Sequence, residues 1–200
     1  MSEKQNERRC LATNFEIETR EDGSTHLKGV AAVFDVLSEN LGGFREQIAP
    51  GAFDDVMDDD VRALFNHNDD IILGRTKSET LSLAVNSTGL TYAIDLPDTQ
   101  AARDLSVSVG RGDVDQSSFG FIVEDDMWTE DDEGRVIRTI RKIKRLFDVS
   151  PVVFPAYPDT SVATRKLNEY HAQHDEQKSK DRLGLRKRQT DLINMQNRSS

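Results

Sequence analysis

Cysteine is nearly absent from this 200-residue sequence. Cys10 is the single example, so no internal disulfide and no thiolate metal cluster can form, which suits a reducing cytoplasm. Long apolar runs are missing too. No stretch reaches the length needed to span a bilayer, and Met1 to Arg9 lacks the apolar core of an export signal, so the sequence predicts a soluble, unexported protein. Cations are in deficit. A net charge of −10 excludes a nucleic-acid or membrane-surface binder as a whole, because phosphates attract Lys and Arg and repel excess carboxylates. Apolar residues make up 36%, enough for one modest core and lean for the full length.

The missing apolar content is concentrated at the C-terminus. Residues 166–200 hold eight Lys plus Arg and five Asp plus Glu, making this segment +3 and the preceding 165 residues −13. Such a composition cannot bury enough surface to offset chain entropy. The expectation is a flexible N-terminus over 1–12, one domain over 13–165, and a charged tail over 166–200, disordered or partly helical when bound to a partner.

What is present is mostly period-two alternation. Phe15 to Thr19, a turn at Glu21 to Ser24, and His26 to Phe34 read as strand, turn, strand. Gly42-Gly43 punctuates a loop, and Pro50-Gly51 leads into a short helical pattern over Ala52 to Met57. Val61 to Asn66 delivers His67 at its end, before a polar loop at 68–70 and the apolar Ile71-Ile72-Leu73. Thr80 to Val85 and Leu90 to Leu96 flank Asn86 to Gly89 as a hairpin. The spacing of Ala101-Ala102, Leu105 and Val109 predicts a helix with Asp98 or Thr99 as N-cap and Gly110 or Gly112 as its stop. Strands are expected over 116–124, 135–143 and 146–154, with an acidic hairpin tip from Met127 to Gly134. The fold class is mainly β with flanking helices, built as a closed antiparallel barrel.

Three residues draw attention as chemistry. Ser117 and Ser118 stand between an acidic turn and Phe119-Gly120-Phe121; a serine becomes a nucleophile only when a base takes its proton. His67, at a strand end beside a loop, is the histidine placed to act as that base. Asp148 is a lone carboxylate in an apolar strand, which costs free energy unless it is paired. Each has a plainer reading. A serine pair in a strand is most often hydrogen-bonded surface, and Asp148 has Arg145 and Arg141 within reach as ion-pair partners. His67 with Asp69 and Asp70 has the ligand types of a metal site, although a solvated acidic turn is the commoner outcome. His26 reads as a surface or packing histidine, and His171 and His174 as solvated polar residues. Arg111-Gly112-Asp113 is a chance tripeptide. The acidic run from Glu124 to Glu133 around Trp128 is either a solvated tip or a substrate-recognition edge.

Taken together and in order, several motifs resemble the tailed-phage prohead (capsid maturation) proteases. They are Gly29-Val30-Ala31-Ala32-Val33-Phe34, Glu46-Gln47-Ile48-Ala49-Pro50-Gly51-Ala52-Phe53, Phe65-Asn66-His67-Asn68, Leu73-Gly74-Arg75, Gly89-Leu90, Ser118-Phe119-Gly120-Phe121, and Asp148-Val149-Ser150-Pro151-Val152 through Pro155-Ala156-Tyr157-Pro158. The resemblance covers roughly residues 13–165. It implies a serine endopeptidase related in fold to the herpesvirus assembly protease (assemblin), with Ser118 as nucleophile, His67 as general base and Asp148 as orienting acid. Many phage members carry Glu at the third position, so Asp148 has a shorter reach. The paired arginines that follow the third residue in the herpesvirus relatives have no match at Phe154-Pro155-Ala156-Tyr157, which leaves the oxyanion donors unassigned.

The activity this implies is cleavage of the scaffold segment of a major coat protein inside the immature prohead in the host cytoplasm, and self-cleavage. It needs no cofactor or metal, and no nucleic acid or membrane partner. A homodimer or higher oligomer is expected by resemblance. The alternative is a non-enzymatic capsid-assembly or scaffold module that binds coat subunits through its tail. A metal-dependent hydrolase around His67 is a third reading, and would be inhibited by chelators.

Overall fold

Alternating segments become strands almost wherever they occur. A computed structural model of the chain describes residues 6–21, 23–154 and 161–197. In chain order the strands are β1 (Glu7–Ala12), β2 (Glu16–Thr19), β3 (Thr25–Val33), β4 (Phe44–Ile48), β5 (Arg62–Phe65), β6 (Asn68–Arg75), β7 (Leu81–Val85), β8 (Gly89–Leu96), β9 (Gln116–Glu130) and β10 (Val136–Val152). Two helices are present, α1 (Gln100–Gly110) and α2 (Ser161–Asn197). The chain divides into a unit spanning Met1–Thr160 and a unit spanning Ser161–Ser200.

The first unit contains two sheets. One has the order β1-β9-β10-β5-β6, with β4 also paired to β10; the other has the order β2-β3-β8-β7. They share one core, in which Leu27, Ala31, Leu90, Tyr92 and Ile94 of the smaller sheet join Phe119, Phe121, Ile140, Ile143, Leu146 and Val149 of the larger. Phe119 stacks on Phe121 at 4.7 Å between ring centroids and meets Phe53 edge-on at 5.8 Å. Helix α1 adds Ala102, Leu105 and Val109, and the Thr99 side chain caps it by accepting the Ala102 N–H at 3.3 Å. Gly89 turns the β7–β8 hairpin where a Cβ would lie 1.9 Å from the Ala32 carbonyl oxygen, so no larger residue fits.

The protein is mainly β, as expected, but neither sheet closes into a barrel among the described residues. A barrel requires the hydrogen-bond ladder to continue with one consistent stagger around its circumference. Here the ladder forks: the outer edge of β10 is divided between β4, parallel over residues 136–140, and β5, parallel at residues 148–149. The sheet therefore branches instead of curling round.

Four further expectations change. Residues 7–12, assigned to a flexible N-terminus, form edge strand β1 against β9 from Glu7↔Phe121 to Ala12↔Gln116. The helical pattern at 52–57 shortens to one 3-10 turn at Asp54–Val56. The two strands expected over 135–154 are one continuous β10, bent by register shifts between Ile140 and Asp148. The acidic tip also contracts, because β9 runs on to Glu130.

The second unit is one helix through the described residues. Its Lys, Arg, Gln, Glu and Leu are good helix formers, so a segment too polar to form a core still adopts helical backbone. Leu183 and Leu185 are exposed on it. The motif Pro155-Ala156-Tyr157-Pro158 lies outside the described residues.

Candidate active site

The centre of the larger sheet is the β9–β10 pair, and its register sets the site. Directly opposite residues in an antiparallel pair point to the same face, and successive residues alternate. Ser118 stands opposite Ser150, and Gly120 opposite Asp148, so these four share one face. Ser117 points the other way, where its hydroxyl bonds the buried Tyr92 phenol at 2.9 Å. Burial pushes the Tyr92 phenol far up, against the opposing effect of that hydrogen bond, so it stays protonated. The adjacent serines are thus separated, one into the core and one onto the face that carries Asp148.

His67 reaches that face from the β5–β6 hairpin. Phe65 pairs with Asn68, leaving Asn66 and His67 as a two-residue loop with both φ angles at 54°. This left-handed loop matches the twist of the flanking strands, and Asn tolerates the conformation better than most residues. The loop is fixed to the end of β10 at two points. The Asn66 N–H donates to the Pro151 carbonyl at 3.0 Å, and the Val153 N–H donates to the Asn66 side-chain oxygen at 2.9 Å. His67 therefore does not end a strand before a polar loop, since β6 begins at Asn68.

The result is a chain of short hydrogen bonds. His67 Nδ1 lies 2.5 Å from Asp148 Oδ2, and His67 Nε2 lies 2.7 Å from Ser118 Oγ. The carboxylate is acceptor-only, so Nδ1 carries the proton and Nε2 presents its lone pair to the Ser118 hydroxyl. All three groups are enclosed: Ser118 is fully buried, and the His67 and Asp148 side chains are 4% and 8% exposed. A low-dielectric setting strengthens such bonds and makes an unpaired group costly. Such a chain is chemically able to take a hydroxyl proton while the oxygen attacks an electrophilic carbon.

The sequence reading missed two neighbours. Ser150 Oγ donates to Asp148 Oδ2 at 2.8 Å, and Gly120 leaves room for that carboxylate, since a Cβ on it would lie 2.5 Å from Asp148 Oδ1. Both were legible in principle from period-two spacing, as Asp148 and Ser150, and Ser118 and Gly120, are each two residues apart.

The plainer partners are engaged elsewhere. Arg141 pairs with Asp125 at 2.9 Å, and Arg145 lies over the Phe147 ring at 5.1 Å. Asp69 and Asp70 are exposed, and among the described residues no group of three or more His, Cys, Asp and Glu is close enough to hold a metal ion. Of the two readings of His26 the packing one holds: it is buried, and its Nδ1 contacts the Asp95 carboxylate across β3 and β8. Tyr170 stacks on His174, while Arg111 pairs with Asp113 at 2.8 Å within its own turn. Trp128 is not at a tip: it packs on Phe44 at 5.0 Å and under Arg138.

Arg138 also anchors β1. It is fully buried and donates to Glu7, Glu46 and Asp126 at 2.7–3.0 Å, while Arg9 bridges Glu7 and Glu46 at 2.6–2.9 Å. Burial by itself would raise the Glu7 carboxyl, but the hydrogen bond and charge of Arg138, with Arg9, hold it below the usual range. Strand β1, paired with the Ser118 segment of β9, is thereby tied to β4 and β10.

A family model described as caudovirus prohead serine protease covers residues 13–174. No curated protein and no solved structure matches the chain.

Proposed function

The chain belongs to the caudovirus prohead serine protease family, and on that premise we propose that Ser118, His67 and Asp148 are the nucleophile, general base and orienting acid of a capsid-maturation endopeptidase. The observation that carries this reading is the unbroken hydrogen-bond chain Ser118–His67–Asp148. As Ser118 Oγ bonds to the scissile carbonyl carbon, its proton passes to His67 Nε2 and the carbonyl π electrons move onto oxygen. The C–N bond then breaks and the imidazolium returns the proton to the leaving amine. Water, deprotonated by His67, then attacks the acyl carbon, and as the bond from that carbon to Ser118 Oγ breaks the imidazolium returns the proton to Oγ. Asp148 holds the Nδ1–H tautomer and stabilises the cation formed between the two transfers.

The substrate is the scaffold segment of the coat protein inside the immature shell, with the protease's own chain as a second target. Residues 166–200 form the segment in which self-cleavage is expected, since it is rich in charge and poor in apolar residues. Coexpression with the coat protein tests the reading by mass spectrometry: native chain shortens the coat protein, and Ser118→Ala does not. Unchanged coat processing by the Ser118→Ala variant overturns it. We also propose a subordinate docking role for residues 166–200, whose charge of +3 contrasts with −13 in the preceding 165 residues. Truncation before Lys166 should then abolish particle incorporation and leave peptidase activity intact; lost activity would instead make the segment part of the enzyme.

A further inference from the structure

We infer that Ser150 is a positioning residue of this site, its hydroxyl setting both the orientation and the proton affinity of Asp148 towards His67. The inference rests on the roles proposed for Ser118, His67 and Asp148. A serine two residues from an aspartate on one strand could simply be satisfying its own hydroxyl. Ser150 does more, because of which oxygen it uses. It donates to Asp148 Oδ2, the same atom that His67 Nδ1 contacts, and its Oγ lies 3.4 Å from Nδ1. The three atoms form a closed triangle.

Ser150 is fully buried, and the carboxylate accepts but cannot donate, which fixes the direction of the hydroxyl proton. Two donors converging on Oδ2 hold the carboxylate in one rotamer. The hydroxyl also draws negative charge from Oδ2, which weakens the pull of the carboxylate on the imidazolium. Ser150 stands opposite Ser118 in the β9–β10 register, so nucleophile and positioning residue are fixed by the same pair of strands. No peptide atom need touch Ser150 for it to act.

The decisive experiment follows His67 directly. In the full chain carrying Ser118→Ala, nitrogen-15 histidine NMR titration reads the His67 pKa, with the signal identified by its loss in His67→Gln. Adding Ser150→Ala should raise that pKa by about 0.5–1 unit. Ser150→Thr, which keeps the hydroxyl, should leave it in place. Ser150→Cys keeps the size with a weaker donor and should fall between, which preserves the test if the alanine variant folds poorly.

With Ser118 intact, the rate of labelling by a fluorophosphonate probe should fall about tenfold in Ser150→Ala, with its acidic limb moved to higher pH. An unchanged His67 titration in Ser150→Ala, or slower labelling with an unmoved acidic limb, overturns the inference. A native chain that the probe does not label at Ser118 would instead refute the serine-protease assignment, and the titration in Ser118→Ala still decides the role of Ser150.

Discussion

Gly120→Ala is the most searching perturbation of the site, because it adds one methyl group and removes nothing. The added Cβ would stand 2.5 Å from Asp148 Oδ1 and 3.5 Å from its Cγ. Carbon and oxygen do not approach much below 3 Å, so the carboxylate must retreat by at least about 0.5 Å. It has little room to do so. Gly120 and Asp148 are direct cross-strand partners, so the backbones cannot part without opening the ladder, and Oδ2 is already held by His67 at 2.5 Å and Ser150 at 2.8 Å. The displacement is passed to the imidazole, and a misplacement approaching 1 Å costs on the order of 100-fold in rate. Overpacking costs a further 1–3 kcal/mol or so of stability. The assay is the fluorophosphonate labelling rate, measured well below the melting temperature of the variant. Gly110→Ala is the control. Its Cβ would meet nothing within 4 Å at the end of α1, so labelling should be unchanged and stability should rise by about 0.5 kcal/mol. A Gly120→Ala variant that labels at the native rate would refute the claim that Asp148 is held in place by that contact.

Four further outcomes follow from the same geometry. Ser117→Ala should keep its labelling rate while losing about 1–3 kcal/mol in denaturant melts, because the buried Tyr92 hydroxyl loses its partner; lost labelling with stability retained would move the nucleophile to Ser117. Asp148→Asn keeps the shape but offers an N–H towards Nδ1, which favours the wrong tautomer, so the labelling rate should fall by about 10³–10⁴ with the melting curve little changed. Arg138→Ala removes the more deeply buried of the two cations shared by Glu7 and Glu46, leaving Arg9 alone against both, and should cost about 3–5 kcal/mol, read by urea unfolding. The Glu7 carboxyl is held below its ordinary value of 4.5, so its contribution is fully present above that pH and is lost as pH falls through the lower folded value. Acid unfolding of Glu7→Gln should therefore show a shallower loss of stability in that window, and an identical acid profile would remove Glu7 from the account.

Elements governed by neighbours in sequence were readable in advance. The β7–β8 hairpin follows from Asn86, whose side chain accepts from the Thr88 and Gly89 N–H groups, and α1 from Thr99 at its N-cap. Elements governed by distant partners were not. Glu7-Arg8-Arg9 reads as solvated chain because three charged residues in a row have no local reason to be buried. Strand β1 forms because Arg138, 131 positions away from Glu7, supplies the countercharge. The barrel failed for a related reason: strand patterns state which faces are apolar, but not that β10 divides one edge between two parallel partners.

The site divides along the same line. The serine pair, His67 and Asp148 could each be picked out by type, but choosing among their uses required knowing which faces meet. Asp148 is the clearest case. As an isolated carboxylate in an apolar strand it had Arg141 and Arg145 nearby in sequence, and pairing with either would have made it structural. The bulged register of β10 turns those arginines towards Asp125 and Phe147 and leaves Asp148 facing the hairpin that carries His67. That hairpin is in turn aimed by two hydrogen bonds, from the Asn66 N–H to the Pro151 carbonyl and from the Val153 N–H to the Asn66 side-chain oxygen, both on the stretch that follows Asp148. The proposed acid and base are thus positioned by one short run of chain at the end of β10. A shift of that run would move both together and preserve their contact, while the distance from His67 to Ser118 would change. The bond most sensitive to deformation of the sheet is therefore the 2.7 Å contact from Nε2 to Ser118 Oγ, the one that the proposed proton transfer uses.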